Sequence, residues 1–203
     1  MRVAALLLVA SVSSVATAAP YDDMFKAGNH WTYASEETVR FGDDGSQGGG
    51  HEKFEVECRV DNVRRIAGAR VSTISCTPEK DGSFIAGVWV ATSRGMWSMN
   101  TSDSAPATAK DVRRALAERM IVSARPRTKT CPEHYGDKYG MGTCRAVAKV
   151  DGRWCVDENT QEPNGAYGHT TCFANGTVYS YSSGSSSYSD GGSDSETTFV
   201  RIR

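Results

Sequence analysis

Residues 54–60, Phe54-Glu55-Val56-Glu57-Cys58-Arg59-Val60, alternate an apolar or thiol side chain with a charged one at every step. A period of two places one face of a strand in a core and the other in water. The same pattern spreads outward. Upstream, Trp31, Tyr33, Val39 and Phe41 oppose Thr32, Glu36, Thr38 and Arg40, and the stretch Gly42 to Gly50 (GDDGSQGGG) reads as a flexible connecting loop. Downstream, a turn at Ala67-Gly68 leads into a strand from Ala69 to about Cys76. Ser83 to Thr92 reads as the next strand, and Arg94-Gly95 turns into Met96-Trp97-Ser98-Met99.

One segment breaks the alternation. After Pro106, the residues Val112, Ala115, Leu116 and Met120 recur at helical spacing, and Arg125-Pro126 marks the stop beyond the helix end. Strand patterns then return in pairs. Asp151-Gly152 and Asn175-Gly176 each sit between two such patterns, and both are two-residue hairpin signals. The tract from Ser182 to Thr198 is rich in serine and glycine and reads as a mobile loop before a last alternating strand, Phe199 to Arg203. The expected class is mainly β: an antiparallel meander of eight to ten strands, forming a curved sheet or partial barrel with one helix packed on it.

The chain of 203 residues opens with Met1-Arg2, a short apolar run from Val3 to Ala10, and small residues ending Val15-Ala16-Thr17-Ala18. Those are the three parts of a secretory leader, so residues 1–18 are expected to be removed and residues 19–203 to form one domain. The apolar run is too short to span a bilayer, which takes about 18 residues. The expected location is therefore outside the cytoplasm, secreted or periplasmic. Six cysteines, Cys58, Cys76, Cys131, Cys144, Cys155 and Cys172, all follow the leader. An even number in an exported chain predicts three disulfides among fifteen connectivities. Pairing of sequence neighbours (Cys58–Cys76, Cys131–Cys144, Cys155–Cys172) is the expected scheme, because the first and last pairs bracket turn-rich hairpins. No Cys-x-x-Cys pair occurs, so no metal is expected at these thiols.

Candidate chemistry is sparse. The segment His51-Glu52-Lys53-Phe54-Glu55 lacks the second histidine of a helical zinc motif, and on a strand its end residues stand about 13 Å apart. Neither glycine-rich stretch opens a helix or ends in Gly-Lys-Ser/Thr, so no nucleotide cofactor or nucleic-acid partner is expected. Asn100 and Asn175 fit the glycosylation pattern, which matters only in a eukaryotic source. The basic run from Lys110 through Arg113, Arg114 and Arg119 to Lys129 is a candidate contact for an acidic surface. The leading function is a non-catalytic exported binding module. Its candidate ligand is an apolar small molecule, held by the soft side chains Trp89, Trp97, Met96 and Met99 if the curved sheet turns them into a cavity. Two alternatives stand beside it: a secreted hydrolase using His134 with Asp137 or Glu133, and a cell-envelope structural or interaction protein.

Overall fold

The computed structural model describes residues 18–41, 48–78, 83–99, 106–132, 137, 141–187 and 192–203. Most of the expected leader (residues 1–17), the His134 and Glu133 pair, and Asn100 lie outside the described residues. A short 3₁₀ turn, Asp22–Phe25, precedes β1 (His30–Phe41), β2 (Gly49–Ile66), β3 (Ala69–Thr77), β4 (Gly87–Ala91) and β5 (Gly95–Met99). The helix α1 (Ala109–Ala117) follows, then β6 (Val122–Ser123), β7 (Gly142–Val150), β8 (Arg153–Glu162), β9 (Gly165–Ala174), β10 (Thr177–Ser187) and β11 (Ser193–Arg201).

All pairings among the described strands are antiparallel, and they join into one curled sheet, a half-barrel, in the order β6-β5-β4-β3-β2-β1-β11-β10-β9-β8-β7. The strands number eleven rather than eight to ten. The additional strand is β6, whose two residues are too short to show any period. The tract from Ser182 to Thr198 also departs from the loop reading: β10 runs on to Ser187 and β11 begins at Ser193. Their small polar side chains carry no alternation signal, but their backbones pair with β9 and β1, which supplies the hydrogen bonds that hold them extended. Gly42–Gly50 likewise gives up its last two residues to β2.

The expected turns stand. Ala67-Gly68, Asp151-Gly152 and Asn175-Gly176 have positive φ at both residues, which matches the twist of the strands they join. Helix α1 starts on a capping box: the Thr108 hydroxyl accepts from Asp111 N–H, and the Asp111 carboxylate accepts from Thr108 N–H. The Thr108 hydroxyl also donates to the Asp111 carboxylate, and that bond, with the one from Thr108 N–H, holds the carboxyl below its ordinary value.

The two sheet faces pack separately. Inside the curl, Tyr33, Val56, Ile74, Trp89, Met96 and Phe199 gather around Tyr21, Met24 and Phe25 of the 3₁₀ turn. On the other face, Val71, Val90, Trp97 and Met99 meet Val112 and Ala115 of α1. The stretch 83–86, expected as strand, is a turn that drives Phe84 into the curl. Its ring stacks on Phe199 (centroids 4.2 Å apart) and meets Tyr33 edge-on at 5.1 Å. That packing explains why the strand starts only at Gly87.

All three disulfides follow the neighbour scheme. Cys58 and Cys76 are direct register partners, as are Cys155 and Cys172, each pair with Cα atoms 4.0 Å apart. Cys131–Cys144 ties the segment after β6 to β7.

The 3₁₀ turn docks on the β9–β10 hairpin, where the Gly176 carbonyl accepts from Asp23 N–H at 2.7 Å and from Met24 N–H at 3.2 Å. A methyl group on Gly176 would stand 2.6 Å from Asp23 Cγ, at a φ of +79°. Gly176→Ala is therefore expected to cost about 2–3 kcal/mol, strain and overlap together. Urea unfolding checks it; a loss below about 0.5 kcal/mol would show that the turn and Asp23 yield freely.

Candidate functional site

The long strands run past the core, and their outer ends form an open polar groove of about 530 Å³ across β1, β11, β10, β9 and β8. Register builds it row by row. One row crosses the strands as Thr38, Glu196, Gly184, Gly168 and Asn159. The row beyond it reads Arg40, Asp194, Ser186, Ala166 and Gln161. The row nearer the core contributes Ser182, Thr170 and Asp157. Side chains paired across antiparallel strands share a face, so these groups line one surface.

Asp157 organises its end of the groove. One carboxylate oxygen accepts from Thr170 Oγ1 at 3.0 Å and the other from Asn159 Nδ2 at 2.8 Å. The oriented Asn159 amide reaches over Gly168, where a Cβ would lie 2.2 Å from Asn159 Oδ1. Gly184 is different: the nearest atom to a Cβ there is Ser195 O at 3.4 Å. Gly184 therefore leaves its part of the floor without a side chain, whereas the Asn159 amide covers Gly168. At the other wall, Thr38 Oγ1 lies 3.2 Å from His51 Nδ1, and His51 Nε2 lies 3.4 Å from Glu36. Asp157, Asp194 and Glu196 outnumber Arg40, so the lining is rich in hydroxyl and amide groups and carries negative charge.

The reverse face of the same strands carries a charged cluster. Glu158 lies 3.2 Å from Arg145 Nε, 3.6 Å from Arg119 and 3.8 Å from His169 Nε2. Register also places Ser183 beside His169, giving a serine, a histidine and a carboxylate in line across β10, β9 and β8. A nucleophilic serine needs a hydrogen bond to the base, and among the described residues Ser183 makes none to His169. The Glu158 carboxylate is bound up with two arginines. The cluster is built as a brace. Arg145 also donates to the carbonyls of Met120 and Ile121, and Lys129 pairs with Val147 in a backbone bridge. These contacts draw the two ends of the sheet, β6 and β7, toward each other.

The residues singled out from sequence fall elsewhere. Trp89 and Met96 are buried inside the curl, whereas Trp97 and Met99 are buried against α1 on the opposite face. Each indole N–H is already taken, Trp89 donating to Ile85 O at 2.7 Å and Trp97 to Glu118 O at 3.3 Å. None of the four lines the groove. Asp137 Oδ1 accepts from Met141 N–H at 3.1 Å. The basic run is exposed at Lys110, Arg113, Arg114, Arg125, Arg127 and Lys129, with Arg119 turned to Glu158. Sequence reasoning missed the groove because serine, threonine and glycine on a strand look like loop residues. In the structure strands β1 and β8–β11 hold nine or more residues each, longer than one core layer requires, but no alternation in the sequence marks the outer ends of β10 and β11. No protein-family model matches the chain, and no curated protein matches it.

Proposed function

We propose that the chain is an exported, non-catalytic binding module whose ligand is neutral or cationic and rich in hydroxyl groups, such as an oligosaccharide segment. The observation that carries this reading is the polar groove with its glycine floor. Hydroxyls, carboxamides and carboxylates offer donors and acceptors side by side, which suits ligands with many hydroxyls, and the bare floor at Gly184 lets a ring approach the backbone beside the Asn159 amide. The excess of carboxylates disfavours anions. Export rests on the leader-like opening residues, and the three disulfides support it, because such bonds persist in oxidising compartments. An apolar ligand is less well supported, since Trp89, Trp97, Met96 and Met99 are occupied in core packing.

Calorimetric titration with neutral, amino-sugar and uronic-acid oligosaccharides tests the reading. Gly184→Leu has room for its Cβ and should leave folding intact while filling the floor, weakening binding by at least about tenfold, or 1.4 kcal/mol. Preference for the uronic acids, or undiminished binding in Gly184→Leu, ends the proposal.

A further inference from the structure

We propose that removal of the leader between Ala18 and Ala19 creates an ionic latch, in which the new α-ammonium of Ala19 pairs with the Asp22 carboxylate. The inference rests on the expected cleavage site and is independent of the groove. Ala19 N–H donates to Asp22 Oδ2 at 2.8 Å, and Asp22 N–H donates back to Ala19 O at 3.2 Å. The other carboxylate oxygen, Oδ1, is held by Arg70 Nη2 of β3 at 2.7 Å. Arg70 in turn stands 5.0 Å above the Phe25 ring.

Hydrolysis of the Ala18–Ala19 amide by a signal peptidase consumes one water. It leaves a carboxylate on Ala18, which departs with the leader, and an ammonium on Ala19. A neutral donor thus becomes a cation at a position already within hydrogen-bond distance of a carboxylate, and charge-assisted bonds are about twice as strong as neutral ones. The register matters. A cut one residue earlier leaves Ala19 N as an amide, and a cut one residue later removes it.

The latch closes onto the core. Ala19 packs against the interior cluster, and the next turn buries Tyr21 and Met24 completely. Ser72 Oγ holds the Met24 carbonyl at 2.6 Å, while Asp23 and Met24 hang from Gly176. The segment 19–25 is therefore a plug inside the curl, and the latch fixes its free end. The charged groups facing the amine are Asp22 and Arg70; Asp23 is paired with Lys26, and burial pushes the Tyr21 phenol up to about 12.

Pairing raises the α-amine above its ordinary value of about 7.7–8.0. Its stabilisation is then fully present below that value and is lost as pH rises through the raised one. The test compares the mature chain starting at Ala19 with one carrying a Gly-Ser extension, each with and without Asp22→Asn. The extension is expected to lower Tm by about 2–4 °C at neutral pH, by much less in Asp22→Asn, and hardly at all well above pH 9. An equal drop in both backgrounds, or none in either, overturns the latch. So does an exported product whose sequenced N-terminus is not Ala19. If Asp22→Asn fails to fold, the pH dependence of α-amine acylation in the mature protein decides, and an ordinary value overturns the proposal.

Discussion

Replacing Trp97 by alanine is expected to destabilise the protein by about 3–5 kcal/mol, the range for deleting a buried aromatic side chain. Trp97 is 3% exposed and lies between β5 and α1, against Val90, Val112 and Ala115. Its indole N–H is also the donor to the Glu118 carbonyl just past the helix end. The loss therefore combines a cavity with an unpartnered helix carbonyl, and the nine residues of α1 are too few to stay helical without that packing. Urea unfolding followed by far-UV circular dichroism reads both the stability and the helix. Tyr167, half exposed on β9, is the control: Tyr167→Ala should change stability by less than about 0.5 kcal/mol. A loss under about 1 kcal/mol at Trp97 would mean that α1 contributes little to the fold.

Arg145→Ala should have an effect of similar size, about 3–5 kcal/mol, because it leaves buried groups uncompensated. The Arg145 side chain is 14% exposed and is shared between Glu158 on β8 and the carbonyls of Met120 and Ile121 ahead of β6. Its Nε faces Glu158 as an ion pair rather than as an aligned hydrogen bond. Burial draws the guanidinium pKa below its ordinary value, with Glu158 opposing that shift, yet the group stays charged at any working pH. Arg119→Ala makes the useful comparison. Its side chain is half exposed at 3.6 Å from the same carboxylate, so its loss should cost less than about 1 kcal/mol. Equal costs for the two arginines would show that Arg145 only balances the Glu158 charge and does not hold the sheet ends together.

The four residues proposed from sequence for an apolar ligand show where one-dimensional reading stops. Met96 and Trp97 are neighbours in the chain, yet the pleat sends them to opposite faces and into different clusters. Both faces are covered at β5, one by α1 and the other by the interior cluster, so neither side chain is available to a ligand. The groove raises the reverse problem. Asp157, Asn159, Asp194 and Glu196 line one groove only because the four consecutive strands β8 to β11 come into register.

Local sequence by itself determined the mainly antiparallel class, the helix after Pro106 and the tight turns, and it favoured the hairpin pairs Cys58–Cys76 and Cys155–Cys172. Each of these depends on short-range chemistry: a period of two, a helical stripe, turn residues able to take positive φ, or thiols brought together by one hairpin. Tertiary structure alone decided the eleventh strand, the pairing of Ser182–Ser187 and Ser193–Thr198, and the groove. In those places the side chains state no preference, and backbone groups that must find hydrogen-bond partners took them from strands already in place. Closure of the curl belongs with them, since Arg145 and the carbonyls of Met120 and Ile121 become partners only when β7 and β6, the two ends of the sheet, are brought face to face.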